Sequence, residues 1–343
     1  MIKSRANTFL GILMILVSVF YFFNAQFVLA PLKLTSVSPY FIFSLLLVVN
    51  PFYYFYTRSL TVENYKFGRL DLLHFAPGFL FIPLSVITFS VDVELISPAF
   101  LKSSATAIYN GQVLIYAIMM IILLKKHHVN LKNYFSFQES INLNWLKVFV
   151  VIYILISAID LVIFHLHEFE YYQSFYFILM VLFFNFLGYF GIRQNSIYEY
   201  SLIESEKGEE GIKERTAKID EKFSKQVLPD EKKEKLMLEI LDLMEKKKMY
   251  LNPKLTIYDI SDELNVNKTY ISLVINDNLQ ENFNNFINRY RVNEAKKLLI
   301  SPDYQNLTIE GIANMVGFYS KTAFNSAFKK ITLTTPSEFK NSK

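Results

Sequence analysis

Long apolar runs separated by short polar connections fill the chain before Arg193. A bilayer core about 30 Å thick needs about 20 mostly apolar residues in one helix, and six runs approach that length. The runs are approximately Thr8–Ala30, Pro39–Tyr56, Leu70–Phe89, Ala107–Leu124, Trp145–His165 and Tyr172–Ile192. Each is predicted to be helical, because lipid offers no partner to a free backbone amide. The pattern therefore predicts a six-helix transmembrane bundle over residues 1–194, with the lipid bilayer as its solvent.

Basic residues are concentrated in alternate connections of this bundle. They lie in the N-terminal tail, the second and fourth connections and directly after the last run, as Lys3, Arg5, Arg58, Lys66, Arg69, Lys125, Lys126, Lys132, Lys147 and Arg193. Such segments face the cytoplasm. We therefore expect a multi-pass protein of the cytoplasmic (inner) membrane with both termini in the cytoplasm. A cleaved signal peptide is disfavoured, because the first run exceeds the 7–15 apolar residues of such peptides.

Five polar side chains fall inside the predicted spans: Asn50, His74, Asn110, Asp160 and Asn185. Asp160 is the candidate for sensing a signal or an unidentified ligand, with Asn185 as a candidate partner. A structural role, either a hydrogen bond between helices or a protonated structural acid, is the favoured interpretation of Asp160, because buried acids in membranes commonly pair.

A metal site at the outer face has only weak support in the sequence. His165, His167, Glu168 and Glu170 lie close together, but belt residues at a membrane interface explain them better. The chain contains no cysteine, no HExxH, no GxSxG and no phosphate-binding glycine loop. We therefore expect that the protein is not an enzyme and that it binds neither a metal nor a cofactor.

The residues after the last run have a different composition. Residues 195–235 are polar and charged, with Gly208 and Gly211, and predict a cytoplasmic linker rather than a rigid rod. From residue 236 onward Leu236, Ile240 and Leu243 recur at helical spacing. They suit packing on the following domain, which we favour, or pairing with a second copy in a homodimer.

Residues 236–343 contain a first helix-turn-helix pattern. Residues 255–264 predict a helix with Thr256 as N-cap and Asp259 in the capping box, and a short turn follows at Asn265. Asn267 caps a second helix from Lys268 to about residue 276. A short second helix that is polar on its outer face is typical of a recognition helix.

The pattern returns about 50 residues later. Leu307–Ala313 repeats the spacing of Leu255–Ser261, Val316-Gly317 forms the turn, and Ser320 caps the next helix. A longer helix over residues 285–300 separates the two patterns. We expect its basic residues Arg289, Arg291, Lys296 and Lys297 to face solvent or phosphate. This spacer would hold two recognition helices at a separation that suits successive major grooves of duplex DNA.

The segment LTIEGIANMVGFYSKTAFNSAFKKITLTTPSEF, within residues 250–340, resembles the DNA-binding domain of AraC-family transcription regulators. The resemblance implies an all-α domain with two helix-turn-helix units joined by a long helix, and double-stranded DNA as the partner. Joined to six spans, it is similar to membrane-bound members of that family. Basic residues outnumber acidic ones 14 to 9 between Lys246 and Lys343, which suits such a partner.

The resemblance also implies which side chains meet the duplex. The base-contacting positions correspond to Thr269, Ser272, Leu273, Asn276, Lys321, Thr322, Asn325 and Ser326, and the phosphate-contacting positions to Lys268, Lys329 and Lys330. The family usually has glycine in the turn after each recognition helix. Here Gln280 and Leu333 occupy those turns, and we expect differently shaped turns.

Three functional hypotheses follow from these patterns. The leading one is a membrane-embedded, sequence-specific transcription regulator that couples a membrane or extracytoplasmic signal to gene expression. The second is a membrane transporter or enzyme whose C-terminal domain binds proteins. The third retains the DNA-binding domain and makes the bundle a passive anchor.

Overall fold

The computed structural model describes residues 5–28, 39–62, 65–90, 98–139, 141–166, 172–194 and 229–342, and the regular elements there are helices. Those before residue 195 are α1 Arg5–Val28, α2 Pro39–Thr61, α3 Ala76–Ser90, α4 Pro98–Tyr134, α5 Asn144–Leu166 and α6 Tyr172–Arg193. Those after residue 228 are α7 Asp230–Glu245, α8 Ile257–Leu264, α9 Lys268–Leu279, α10 Phe283–Ile300, α11 Ile309–Met315, α12 Lys321–Thr332 and α13 Pro336–Asn341. Short 3-10 helices occupy Arg69–Phe75, Met249–Leu251 and Pro302–Tyr304.

The described residues form two compact units. The bundle unit contains residues up to 127 and residues 143–194, whereas the C-terminal unit contains residues 128–142 and 229–342. The segment 128–142 includes the last turns of α4 and the connection to α5. The sequence places it in a loop of the six-helix domain, but in the structure it groups with the C-terminal unit.

The described part of each predicted apolar run is helical, but the run Leu70–Phe89 is divided between the 3-10 helix Arg69–Phe75 and α3 rather than forming one helix. Among the described residues, two helical stretches, Ala6–Phe23 and Ser103–Tyr134, are long and apolar enough to cross a membrane. Asn144–Ile159 and Ile178–Arg193 are shorter apolar stretches. The six-span arrangement therefore remains a prediction.

The bundle unit has an apolar core, but it also exposes large apolar side chains and buries several polar ones. Ile15, Leu80, Leu182 and Ile192 are between 63% and 74% exposed. The interior, in contrast, contains hydrogen-bonded amides at Asn50 and Gln112. This distribution differs from that of a water-soluble helical domain, in which the outer face is polar.

A polar network crosses the interior of the bundle unit. The Asn50 side chain of α2 donates to Oε1 of Gln112 in α4 at 2.9 Å, and the Tyr153 hydroxyl of α5 donates to Oδ1 of Asn50 at 2.8 Å. Gln112 also donates to the carbonyl of Leu47 at 3.1 Å. Because each amide here is paired, the network ties three helices together.

Two of the other predicted polar positions also pair between helices, whereas Asn185 does not. Nδ1 of His74 lies 2.9 Å from the Tyr116 hydroxyl, and Oδ1 of Asn110 accepts from Ser157 at 2.5 Å. Asn185 is exposed, and its amide donates to a carbonyl of its own helix at 2.8 Å. Asp160 belongs to α5, but its side chain lies outside the described part of the structure.

The weakly supported metal site at the outer face also lies outside the described side chains. This applies to His165, His167, Glu168 and Glu170. The linker up to residue 228 is likewise outside the described ranges.

The C-terminal unit has two hydrophobic cores that share one helix. Helix α10 contributes Phe286 and Ile287 to the first core and Ala295 and Leu299 to the second. Helix α7 packs on the first core, where Ile240 is fully buried, as the sequence pattern favoured. A single 18-residue helix therefore fixes both cores relative to each other within this unit.

Candidate DNA-binding surface

The first helix-turn-helix unit consists of α8, a tight turn and α9. The Thr256 hydroxyl accepts from the backbone amide of Asp259, whose carboxylate accepts from the Thr256 amide at 2.6 Å, so the predicted capping box is present. Asn265 has φ +52°, the left-handed conformation that asparagine tolerates. Asn267 then caps α9 through the amide of Thr269 at 2.7 Å. These local interactions fix the angle between the two helices.

Helix α9 has one buried and one solvent-facing side. Ile271, Val274 and Ile275 are fully buried in the first core. The predicted base-contacting positions lie elsewhere on the helix: Thr269, Leu273 and Asn276 are exposed, and Ser272 is half-buried. The outer face is therefore open to a partner, although Leu273 offers it a methyl surface rather than a hydrogen bond.

The second unit repeats this construction with α11 and α12. The Thr308 hydroxyl caps α11 through the amide of Gly311 at 3.0 Å, and the Ser320 hydroxyl caps α12 through the amide of Ala323 at 3.1 Å. Phe324 and Phe328 are fully buried four residues apart, as predicted. The opposite face of α12 is polar.

The turn between α11 and α12 requires glycine. Gly317 has φ +88°, and a Cβ atom there would lie 2.6 Å from the carbonyl oxygens of both Tyr250 and Leu251. A side chain would therefore meet a strained backbone and two backbone atoms at once. The tight approach holds the second unit against the segment that precedes the first.

The predicted DNA-contacting residues of the second unit lie together on the surface. Lys321, Thr322, Asn325 and Ser326 are exposed along one face of α12, and Lys329 and Lys330 are exposed near its end. The Lys330 ammonium group donates to Oδ1 of Asn285 on α10 at 3.0 Å. Successive polar side chains at this spacing present donors and acceptors to a single groove.

Lys268, the predicted phosphate contact of the first unit, is half-buried. Its ammonium group donates to the Tyr258 hydroxyl at 3.0 Å and lies 4.5 Å from the centroid of that ring. It also lies 5.7 Å from the ring centroid of Tyr134. Its ammonium group is therefore held by two aromatic rings at the start of α9.

The turns after the two recognition helices are not differently shaped, which corrects the expectation from sequence. Gln280 has φ +53° and Leu333 has φ +64°, so both adopt the left-handed conformation that a glycine would take. The backbone amide of Gln280 still donates to the carbonyl of Asn276, and the amide of Leu333 donates to the carbonyl of Lys329. The backbone shape is kept, and the cost is strain at two non-glycine residues.

Arg291 is not solvent-facing, which is a second correction. It is 1% exposed, because it lies on the inner face of α10, four residues after Ile287 and four before Ala295. Its guanidinium donates to the carbonyls of Tyr250 and Asn252, each at 2.7 Å. Burial lowers the pKa of Arg291 to about 9, and the negative charge of Glu139 opposes this, so the group stays protonated at neutral pH.

The other basic residues of α10 are more exposed than Arg291. Lys297 is exposed, while Arg289 and Lys296 are half-buried. Arg289 pairs with Glu281 at 3.1 Å, and Lys297 pairs with Glu294 at 2.9 Å. These ion pairs lie along α10, and the outward-facing side chains of α9 and α12 remain exposed.

The geometry defines a class: an all-α unit with two helix-turn-helix motifs on a common spacer helix. In agreement, the family model described as "Helix-turn-helix domain" matches residues 260–342. The chain is also 28% identical over 87 residues to the raffinose operon transcriptional regulatory protein RafR of Pediococcus pentosaceus. This match covers 25% of the chain and 30% of the relative, so the chain spans less than a third of that relative's length.

Two solved structures are similar over the same part. One is the C-terminal domain of AraT, a response regulator from Geobacillus stearothermophilus, with 29% identity, 28% of this chain and 77% of that chain covered, and a TM-score of 0.26. The other is the C-terminal domain of the two-component response regulator yesN from Fusobacterium nucleatum, with 25% identity, 32% and 99% coverage, and a TM-score of 0.27. The family model and the sequence relative together make the C-terminal part of the chain an AraC-type helix-turn-helix domain, which is a DNA-binding domain.

Proposed function

We propose that this protein is a membrane-embedded transcription regulator that binds specific DNA sequences through both helix-turn-helix units. The observation that carries the proposal is the paired presentation of α9 and α12. Each buries its apolar side in a core that includes α10, and each leaves a polar face open to solvent. Two recognition helices on one rigid spacer suit two major-groove segments on one side of a duplex.

Sequence discrimination is assigned chiefly to α12. Lys321 offers a charged donor for guanine, and Asn325 offers the amide pair that matches adenine. On α9, Asn276 is the matching amide, and Thr269, Ser272 and Leu273 add hydroxyl and methyl contacts. We therefore expect the second unit to contribute more of the base discrimination than the first.

The membrane part of the proposal rests on the character of the bundle unit. Apolar side chains face outward and paired amides face inward, as expected for helices surrounded by lipid. In this proposal six helices cross the cytoplasmic membrane and both termini lie in the cytoplasm, where the C-terminal unit reaches DNA. A signal at the bundle, with Asp160 as candidate sensor, alters DNA binding by one chain or by a homodimer.

The test uses the full-length protein in lipid nanodiscs and a random duplex library. Bound sequences are selected and amplified, and affinity for the selected sequence is measured at several salt concentrations. Lys321→Ala and Asn325→Ala are each expected to weaken binding about 5- to 150-fold at particular base pairs, since a good bidentate contact discriminates by about 1–3 kcal/mol.

The matched control is Lys235→Ala, which removes one positive charge from an exposed side chain of α7. It is expected to leave the sequence preference unchanged. If no sequence is enriched, or if all three variants bind every sequence as the wild type does, the specific regulator is refuted. The proposal is supported if the wild type enriches a particular sequence and Asn325→Ala loses the preference for that sequence.

A further inference from the structure

The connection between α4 and α5 forms part of the C-terminal unit. We call residues 134–139 and 141–142 the strap. The strap amide of Ser136 donates to the carbonyl of Leu255 at 3.2 Å, and Phe135 forms an antiparallel bridge with Thr256. Asn284 of α10 donates to the carbonyl of Phe135 at 3.1 Å. The strap is thus bound to the segment that begins the first helix-turn-helix unit.

Arg291 joins the strap to the rest of the unit. Its Nη1 donates to the carbonyl of Ser136 at 3.3 Å, and its Nη2 donates to the Ser136 hydroxyl at 3.0 Å. The same guanidinium lies 5.6 Å from the ring centroid of Phe318, in the turn of the second unit. A buried cation that loses its acceptors is costly, so these contacts favour the docked strap.

The strap also reaches the second recognition helix. The Phe137 ring is 3% exposed and stacks on Tyr319, with centroids 5.8 Å apart and an angle of 24° between planes. Two residues further, Oε1 of Glu139 accepts a hydrogen bond from the hydroxyl of Ser320 at 3.0 Å. Ser320 is the residue that caps α12, so a carboxylate is held at the beginning of that helix.

The docked strap leaves the polar face of α12 open. Lys321 and Asn325, one and five residues after the cap, remain exposed with the strap in place. The strap therefore does not block the helix from entering a groove. What it adds is one negative charge at the end of the helix that would approach the phosphates bordering that groove.

We propose that the strap is an autoinhibitory element, in which Glu139, held at the start of α12 by Phe137 and Arg291, weakens DNA binding by repelling phosphate. The strap follows α4 without a break in the chain, so a shift at the end of α4 would move Glu139 away from Ser320 and raise DNA affinity. This inference rests on the proposed function, and it assigns to the α4–α5 connection the role of passing a signal to DNA affinity.

The test compares Glu139→Gln with the wild type as full-length proteins in nanodiscs, by fluorescence anisotropy with the selected duplex. Glutamine keeps an oxygen that accepts from Ser320 and removes the charge, although its NH2 group cannot replace the second oxygen, which accepts from the amide of Gln138 at 3.2 Å. We expect about three- to tenfold tighter binding, the effect of one unit charge a few ångström from a phosphate in a solvated setting. Because salt screens repulsion between exposed charges, the gain in affinity should shrink as the salt concentration rises.

Two further variants make the outcome decisive. Glu245→Gln removes a charge from an exposed position at the end of α7 and is expected to bind as the wild type does. Phe137→Ala removes the stacking on Tyr319, loosens the strap, and is expected to tighten binding as Glu139→Gln does. Tighter binding by Glu139→Gln and Phe137→Ala, but not by Glu245→Gln, supports the proposal.

The opposite outcomes overturn it. Unchanged or weaker binding by Glu139→Gln excludes repulsion, and weaker binding by Phe137→Ala would mean that the strap supports DNA binding. An equal gain in Glu245→Gln would reduce the effect to net charge. If the wild type binds a selected sequence but Glu139→Gln and Phe137→Ala do not bind it more tightly, this inference is refuted and the proposed function stands. If the wild type selects no sequence, the proposed function falls with it.

Discussion

Gly317 provides the sharpest test of how the second helix-turn-helix unit is held. In Gly317→Ala, the new Cβ meets a backbone at φ +88° and two carbonyl oxygens at 2.6 Å. The left-handed conformation costs an alanine about 1–2 kcal/mol. Forcing an atom into a closed site costs about 1–3 kcal/mol more. The free energy of unfolding of this unit should therefore fall by about 2–5 kcal/mol.

Hydrogen exchange of the full-length protein in detergent measures this locally. Peptides from α11 and α12 should exchange at least about 30-fold faster in Gly317→Ala, since each 1.4 kcal/mol is a factor of ten. The matched control is Gly311→Ala, where the nearest atom is the Thr308 hydroxyl oxygen at 3.4 Å and the backbone is helical. Alanine there is expected to slow exchange, because it favours helix by about 0.5–1 kcal/mol. Equal exchange in the two variants would refute the account of the turn.

Two further predictions concern the recognition-helix turns and the membrane topology. Leu333→Gly and Gln280→Gly should each raise the free energy of unfolding by about 0.5 kcal/mol, because relief of about 1–2 kcal/mol of left-handed strain exceeds the added freedom of the unfolded chain. Leu333 is 85% exposed, so little packing is lost there. Slower hydrogen exchange of α12 in Leu333→Gly and of α9 in Gln280→Gly would verify the gain, whereas faster exchange in both variants would contradict the strain. For the topology, the natural absence of cysteine allows single-cysteine labelling without background. In intact cells an impermeant maleimide should modify Lys33→Cys but should reach Lys126→Cys only after lysis, and the reverse pattern would place the C-terminal unit outside the cell.

Local sequence signals made much of the C-terminal unit predictable. The caps at Thr256, Asn267 and Ser320 follow from one polar side chain and the residues two or three positions later, so neighbouring sequence contains all the information. The buried faces of α9 and α12 follow from helical periodicity. The turn at Gly317 was also visible, although the reason for its glycine is a distant pair of carbonyls.

The features that sequence did not predict are non-local. Arg291 looked solvent-facing because basic residues usually are, and its acceptors lie 39, 41 and 155 positions away. Phe135 and Phe137 are the sequence signal for the docked strap, because two aromatic rings in a polar connection indicate a surface on which they pack. The left-handed backbone at Gln280 and Leu333 is set by the helix ends, against the preference of the residues themselves.

The C-terminal unit is built from two separate stretches of the chain, which has a consequence for its synthesis. Ser136 leaves the ribosome 155 residues before Arg291, the cation that binds it. At about 5–20 residues per second, that interval is roughly 8–30 s. During it, two aromatic side chains of the early segment have no finished partner, and α5 and α6 are made in between. Completion of this unit therefore follows the synthesis of α5 and α6, and a chain stalled before Arg291 would present the early segment to chaperones and proteases.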